Sequence, residues 1–79
     1  MIDIKEDKLI DTSGQSCPMP VVKAAQVMRG MATGQVLKII ATDKGSLADI
    51  PAWAEDTDNE LLDSKSIDGK FVFYVRKGA

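Results

Sequence analysis

Apolar and polar positions along this chain follow two different periods, and the switches between them mark out its elements. Lys8 to Thr12 reads as a short strand, with Leu9 apolar on one face and Ile10 on the other. Ser13-Gly14-Gln15-Ser16 is a loop, and beyond Cys17-Pro18-Met19-Pro20 the period becomes helical. Val21, Ala24, Ala25 and Met28 fall at i, i+3, i+4 and i+7, one face of a helix, while Lys23, Gln26 and Arg29 point the other way. The Gly30 to Gly34 region ends that helix.

Gln35 to Ala41 returns to the strand period, with Leu37 and Ile39 on one face and Val36, Lys38 and Ile40 on the other. Thr42 to Gly45 is a turn. Ser46-Leu47-Ala48-Asp49 has the form of an acidic capping box and predicts a second helix ending near Asp56, with Leu47, Ile50 and Ala54 as its buried stripe and Trp53 at the edge of the core. Pro51 removes a backbone donor there, so a kink or restart is expected. Glu60 to Ile67 and Lys70 to Arg76 form a hairpin about Asp68-Gly69, a strong two-residue turn signal. Phe71, Phe73 and Val75 face one side of the last strand. Val72 and Tyr74 face the other, leaving apolar surface on the open face of the sheet.

The order strand, helix, strand, helix, strand, strand predicts an α/β fold. Two helices must each bury a stripe, and one face of a four-stranded mixed sheet serves both, giving a two-layer α/β sandwich. The first two strands should run parallel, because a helix crosses between them.

Composition narrows the function. The chain has 79 residues, enough for a single domain over 1–79. A domain of that size buries only about 60% of the surface of its unfolded chain. That allows one thin core and no deep substrate cavity, and favours a site presented at the surface. No apolar run approaches the ~20 residues needed to span a bilayer. The charged Met1-to-Asp7 segment has no signal-peptide character, so a cytoplasmic protein without a membrane role is expected. The net charge of −2 argues against direct nucleic-acid binding. Glu55, Asp56, Asp58, Glu60 and Asp63 form an acidic run, read as a solvated helix end and turn in preference to a docking patch.

There is one cysteine and no histidine. An internal disulfide, a two-cysteine redox motif, a Cys/His zinc site and a Cys–His dyad are therefore all excluded. No metal and no cofactor is implied. Cys17 sits where the first helix begins, with Pro18 at the first helical position, where its fixed φ suits the helix and its missing N–H costs nothing. Pro20 still lies inside the first turn, whose N–H groups have no intrahelical partner. With both prolines lacking a donor, Met19 and Val21 supply the N–H groups nearest the sulfur. The positive end of the helix, aided at most by lysines such as Lys23, is the expected means of stabilising a Cys17 thiolate. A lone cysteine is more often a buried, inert one. Here it emerges from small and polar residues, and the apolar stripe is filled without it.

Asp11-Thr12-Ser13-Gly14-Gln15-Ser16-Cys17-Pro18-Met19-Pro20 resembles the D-x-x-G-x-x-C-P-x-P signature of the TusA-like (SirA-type) sulfur carriers. Thr42-Asp43 through Asp49-Ile50-Pro51-Ala52-Trp53, the Asp68-Gly69 hairpin and Val75-Arg76-Lys77-Gly78 look like the same family's second-helix segment and C-terminus, so the likeness covers essentially the whole chain. Gln15 and Ser16 depart from the leucine and basic residue that many members carry. The resemblance implies a βαβαββ fold and a sulfurtransferase-type carrier. Cys17 would be its catalytic residue, loaded as a persulfide, and Gly14, Pro18, Met19, Pro20, Val21 and Lys23 would support it. Its partners would be sulfur-donor and sulfur-acceptor proteins in tRNA thiolation, cofactor assembly or sulfur oxidation, and the chain is expected to act as a monomer. Two other readings stay open: a small non-enzymatic RNA- or protein-binding regulatory module of similar fold, and a one-cysteine peroxidase or redox sensor.

Overall fold

The computed structural model describes residues 5–16 and 19–78. Its elements run β1 (Lys8–Thr12), α1 (Met19–Arg29), β2 (Val36–Ala41), α2 (Ser46–Asp56), β3 (Glu60–Ile67) and β4 (Lys70–Arg76). The sheet order is β1-β2-β4-β3. β1 pairs with β2 in parallel, as a helical crossover requires, and β4 is antiparallel to both β2 and β3. Asp68 and Gly69 have φ of 51° and 80°, the double positive φ of a type I′ hairpin turn, which sets Ile67 opposite Lys70.

The core lies between the two helices and the sheet face formed by Leu37, Ile39, Ala41, Phe73 and Val75. α1 contributes Ala24 and Met28, and α2 contributes Ile50 and Ala54. The alternation expected for β2 and β4 is thus realised, and the buried side of α1 is rotated slightly from the expected stripe. Pro20, Ala24 and Met28 are its buried residues, and Val21 and Ala25 are only half-buried. The chain then folds Met31 into the same core from the connection after α1.

Two expectations about α2 are corrected, and a third in part. Leu47 is 49% exposed and is no part of the buried stripe. Ser46 is buried in its place. The capping box does not form: the helix begins at Ser46 itself, with Gly45 as N-cap and no side-chain cap. The reason is that helical turns already wind through 43–45. The Ser46 and Leu47 N–H groups donate to the Asp43 and Lys44 carbonyls, and those of Ala48 and Asp49 to Gly45, so no donor is left for the Ser46 hydroxyl. α2 also runs without a restart through Pro51. The carbonyl that Pro51 cannot serve belongs to exposed Leu47, where water can satisfy it, while Ile50 and Ala54 hold the helix to the core.

The open face of the sheet is more closed than the alternation suggests. Val36, Val72 and Tyr74 are buried there in a second cluster with half-buried Ile40 and Leu62. Leu62 sits at a register shift between Leu61 and Asp63, which places an extra residue over the cluster. The ammonium groups of Lys38 and Lys65 lie 5.7 and 5.5 Å from the centre of the Tyr74 ring, so their aliphatic stems and charges cap it. Of the acidic run, Glu55, Asp56 and Asp58 lie exposed at the end of α2 and the turn after it, while Glu60 and half-buried Asp63 belong to β3. Glu60 pairs with Arg76, and Asp63 lies 3.7 Å from Lys65.

Candidate functional site

The candidate site is the loop between β1 and α1. Cys17 and Pro18, two of the residues expected to form it, lie outside the described residues, so its geometry is that of the flanking segments. The loop begins where Thr12, fully buried, donates its hydroxyl to the Ile40 carbonyl at 2.6 Å and locks the end of β1 to β2. The Ser13 N–H donates to Asp11 Oδ1 at 2.9 Å, an Asx turn. The Gln15 N–H closes the turn on the Thr12 carbonyl at 3.1 Å, with Gly14 at φ +80° in its third position. A positive φ at that position is what a type II turn needs, and glycine supplies it without strain. Space is not the reason for the glycine, since an added Cβ would meet nothing within 4 Å. These bonds account for the Asp and Gly of the Asp11-x-x-Gly14 element.

Asp11 supplies the carboxylate of this turn. Its carboxyl is held below the usual aspartate range, first by the Ser13 hydroxyl, then by the Ser13 amide, with Lys70 adding to the effect. The Gly14 N–H donates to Thr42 Oγ1 at 2.8 Å, across to the connection between β2 and α2. Gln15 Oε1 is turned inward, buried and without a partner among the described residues. Ser46 Oγ, at the start of α2, is in the same position.

Of the supporting residues, Met19 opens α1 and is 41% exposed. Its N–H donates to the Ser16 carbonyl at 2.9 Å, closing a turn of the chain into the helix. Pro20 is fully buried, and Val21 and Lys23 are half-buried. Thr42 was not legible as part of this site. The signal that could have found it is the parallel pairing of β1 and β2, which sets Thr12 beside Ala41 and brings the two following loops together.

Elsewhere an open cleft of about 250 Å³ lies between Ala25, Met28, Arg29, Trp53, Thr57, Asn59 and Lys77. It is at the far end of α1, about 15 Å along the helix axis from Met19. No group of acidic side chains able to hold a metal ion occurs among the described residues, and no described helix is long and apolar enough to cross a membrane.

The comparisons with known proteins agree with this picture. The SirA-like protein of Desulfitobacterium hafniense has the same fold, with a TM-score of 0.75 at 24% identity, over 91% of this chain and 99% of that one. The Allochromatium vinosum sulfur carrier protein TusA is 46% identical over 71 residues, 90% of this chain and 93% of that protein. The Pseudomonas putida sulfur carrier protein TusA is 38% identical over the whole chain and 99% of that protein. A protein of Aquifex aeolicus named as a sulfur carrier is 47% identical, and there the chain spans only 40% of the relative's length. The family model for Sulfurtransferase TusA matches residues 8–77, from the first residue of β1 to the residue after β4. The chain therefore belongs to the TusA sulfurtransferase family.

Proposed function

We propose that this chain is a sulfur carrier that takes sulfur as a persulfide on Cys17 and relays it between partner proteins. The observation that carries the reading is the match of family and relatives over nearly the full chain, including relatives of about its own length that are named sulfur carriers. The regulatory RNA- or protein-binding module is not favoured by those matches.

The chemistry needs no cofactor. The Cys17 thiolate attacks the terminal sulfur of a donor persulfide. The donor's S–S bond breaks, its cysteine leaves as a thiolate, and a new S–S bond forms at Cys17. Delivery is the same exchange in reverse, with an acceptor thiolate as nucleophile. Electrons balance without an outside oxidant or reductant. The start of α1 favours the anionic sulfur, and Gly14, Pro18, Met19, Pro20, Val21 and Lys23 shape or flank the segment that presents it.

We further propose that the chain acts as a single TusA-like domain, as a monomer and in the cytoplasm, where a lone thiol stays reduced. The experiment is intact mass after incubation with polysulfide or with a loaded persulfide donor. One added sulfur per chain, lost on treatment with a thiol and absent from Cys17→Ala, is expected. Sulfur retained by Cys17→Ala overturns the reading.

A further inference from the structure

We propose that Thr42 is a positioning residue for Cys17, an inference that rests on the carrier reading above. Its hydroxyl oxygen accepts the Gly14 N–H and holds the sulfur-bearing loop against the connection that follows β2.

Thr12 anchors the end of β1 to Ile40, and beyond it the hydrogen bonds donated by the loop residues 13–16 among the described residues are of two kinds. Ser13 to Asp11 and Gln15 to Thr12 lie within the loop and its strand end, so they shape the turn without tying it to another part of the molecule. The bond from Gly14 to Thr42 spans 28 residues of sequence and joins the loop to a different connection. Parallel pairing makes it possible: Thr12 lies opposite Ala41, so residues 13–16 and 42–45 leave the sheet side by side.

The loop needs such a tie. Gln15 Oε1 is buried without a partner among the described residues, a state that favours lifting the loop into water. The turn also passes through glycine, the residue that restrains the backbone least. Cys17 follows Gly14 by three residues, a reach of at most about 10 Å, and α1 begins two residues after it. Freedom at Gly14 therefore passes directly to the sulfur, and the Thr42 tie and α1 bracket the segment from both sides. Thr42 itself is only half-buried and lies outside the strand pairing and the core clusters, so removing its hydroxyl leaves the packing intact.

The test uses Thr42→Val and Thr42→Ala, which remove the acceptor, and Thr42→Ser, which keeps it. Hydrogen exchange of the Gly14 amide, read by NMR, reports the bond. The rate of Cys17 alkylation by iodoacetamide at neutral pH reports the sulfur, because a loop released from the start of α1 holds less reactive thiolate. A bond of ordinary net strength predicts that exchange speeds up and alkylation slows down by about 2- to 10-fold each in the Val and Ala variants. Thr42→Ser should recover both. Alkylation that is unchanged or faster in the Val and Ala variants overturns the proposal, even if Gly14 exchange accelerates. So does equal slowing in Thr42→Ser, which would assign the effect to packing of the methyl group. Neither measurement requires sulfur loading. A wild-type chain that takes up no sulfur therefore removes the carrier reading, while the alkylation rates still decide whether Thr42 positions the thiol.

Discussion

The residue scale holds the chemistry, and two side chains there make opposite kinds of prediction. Small and polar residues, Gly14, Gln15 and Ser16, precede Cys17 in the sequence, so Cys17→Ala is expected to abolish sulfur loading and to shift stability by no more than about 0.5 kcal/mol, the range of an ordinary surface change. A loss of several kcal/mol on thermal unfolding would mark it as a core residue instead. Asp11 makes a pH prediction. Its folded pKa is depressed by the Ser13 hydroxyl, the Ser13 amide and Lys70, so the carboxylate form favours the folded state. That contribution is fully present above the unfolded value of about 3.9 and is lost as pH falls through the lower folded value. NMR titration should place Asp11 below an aspartate in the unfolded chain. In Ser13→Ala, which removes the leading cause, the midpoint should rise while staying on the acid side of neutrality. A midpoint that does not move would show that the hydroxyl is not the cause.

At the scale of the element, the start of α1 is where the prolines act. Pro20 in a helix's first turn invites the view that it serves rigidity alone, since a first-turn N–H is expendable. In the fold its ring is fully buried. Pro20→Ala therefore removes about two buried carbons and also frees the unfolded chain, for a combined loss of about 1–3 kcal/mol. In a domain of this size that lowers the melting temperature by roughly 4–8 °C per kcal/mol. Sulfur transfer by the variant should be compared below its melting range, where slower transfer would show that the rigid turn also positions Cys17. An unchanged melting temperature would contradict the packing role. α2 behaves in the converse way. Its sequence carries a capping box, yet the turns at 43–45 occupy the donors first, and Ser46 is buried with its hydroxyl unpartnered among the described residues.

For the whole molecule, the decisive strand is β4. It lies between β2 and β3 and faces the helices with Phe71, Phe73 and Val75 and the outer cluster with Val72 and Tyr74. Phe73 is fully buried at its centre. Phe73→Ala should cost about 3–5 kcal/mol. That is a large part of the about 4–12 kcal/mol expected for a chain of this length. Denaturant unfolding should show the midpoint fall with the slope unchanged. A fall of less than about 1 kcal/mol would mean that the core collapses around the void.

The sequence by itself determined the elements, the parallel pairing of β1 and β2, the Asp68-Gly69 hairpin, the face of β2 and β4 that meets the helices, and the family motif around Cys17. Each of these is written in local terms: a period of 2 or 3.6, a glycine where φ must be positive, a proline where a donor is expendable. Tertiary structure alone decided the rest. Nothing local says that β4 inserts beside β2, that Leu62 and two lysines close the outer face, or that Pro20 is packed while Leu47 is exposed. Nor can a local pattern show that Gly14 meets Thr42. Those outcomes depend on which segments, distant along the chain, compete for the same neighbours and the same hydrogen-bond partners once the two helices settle on the sheet.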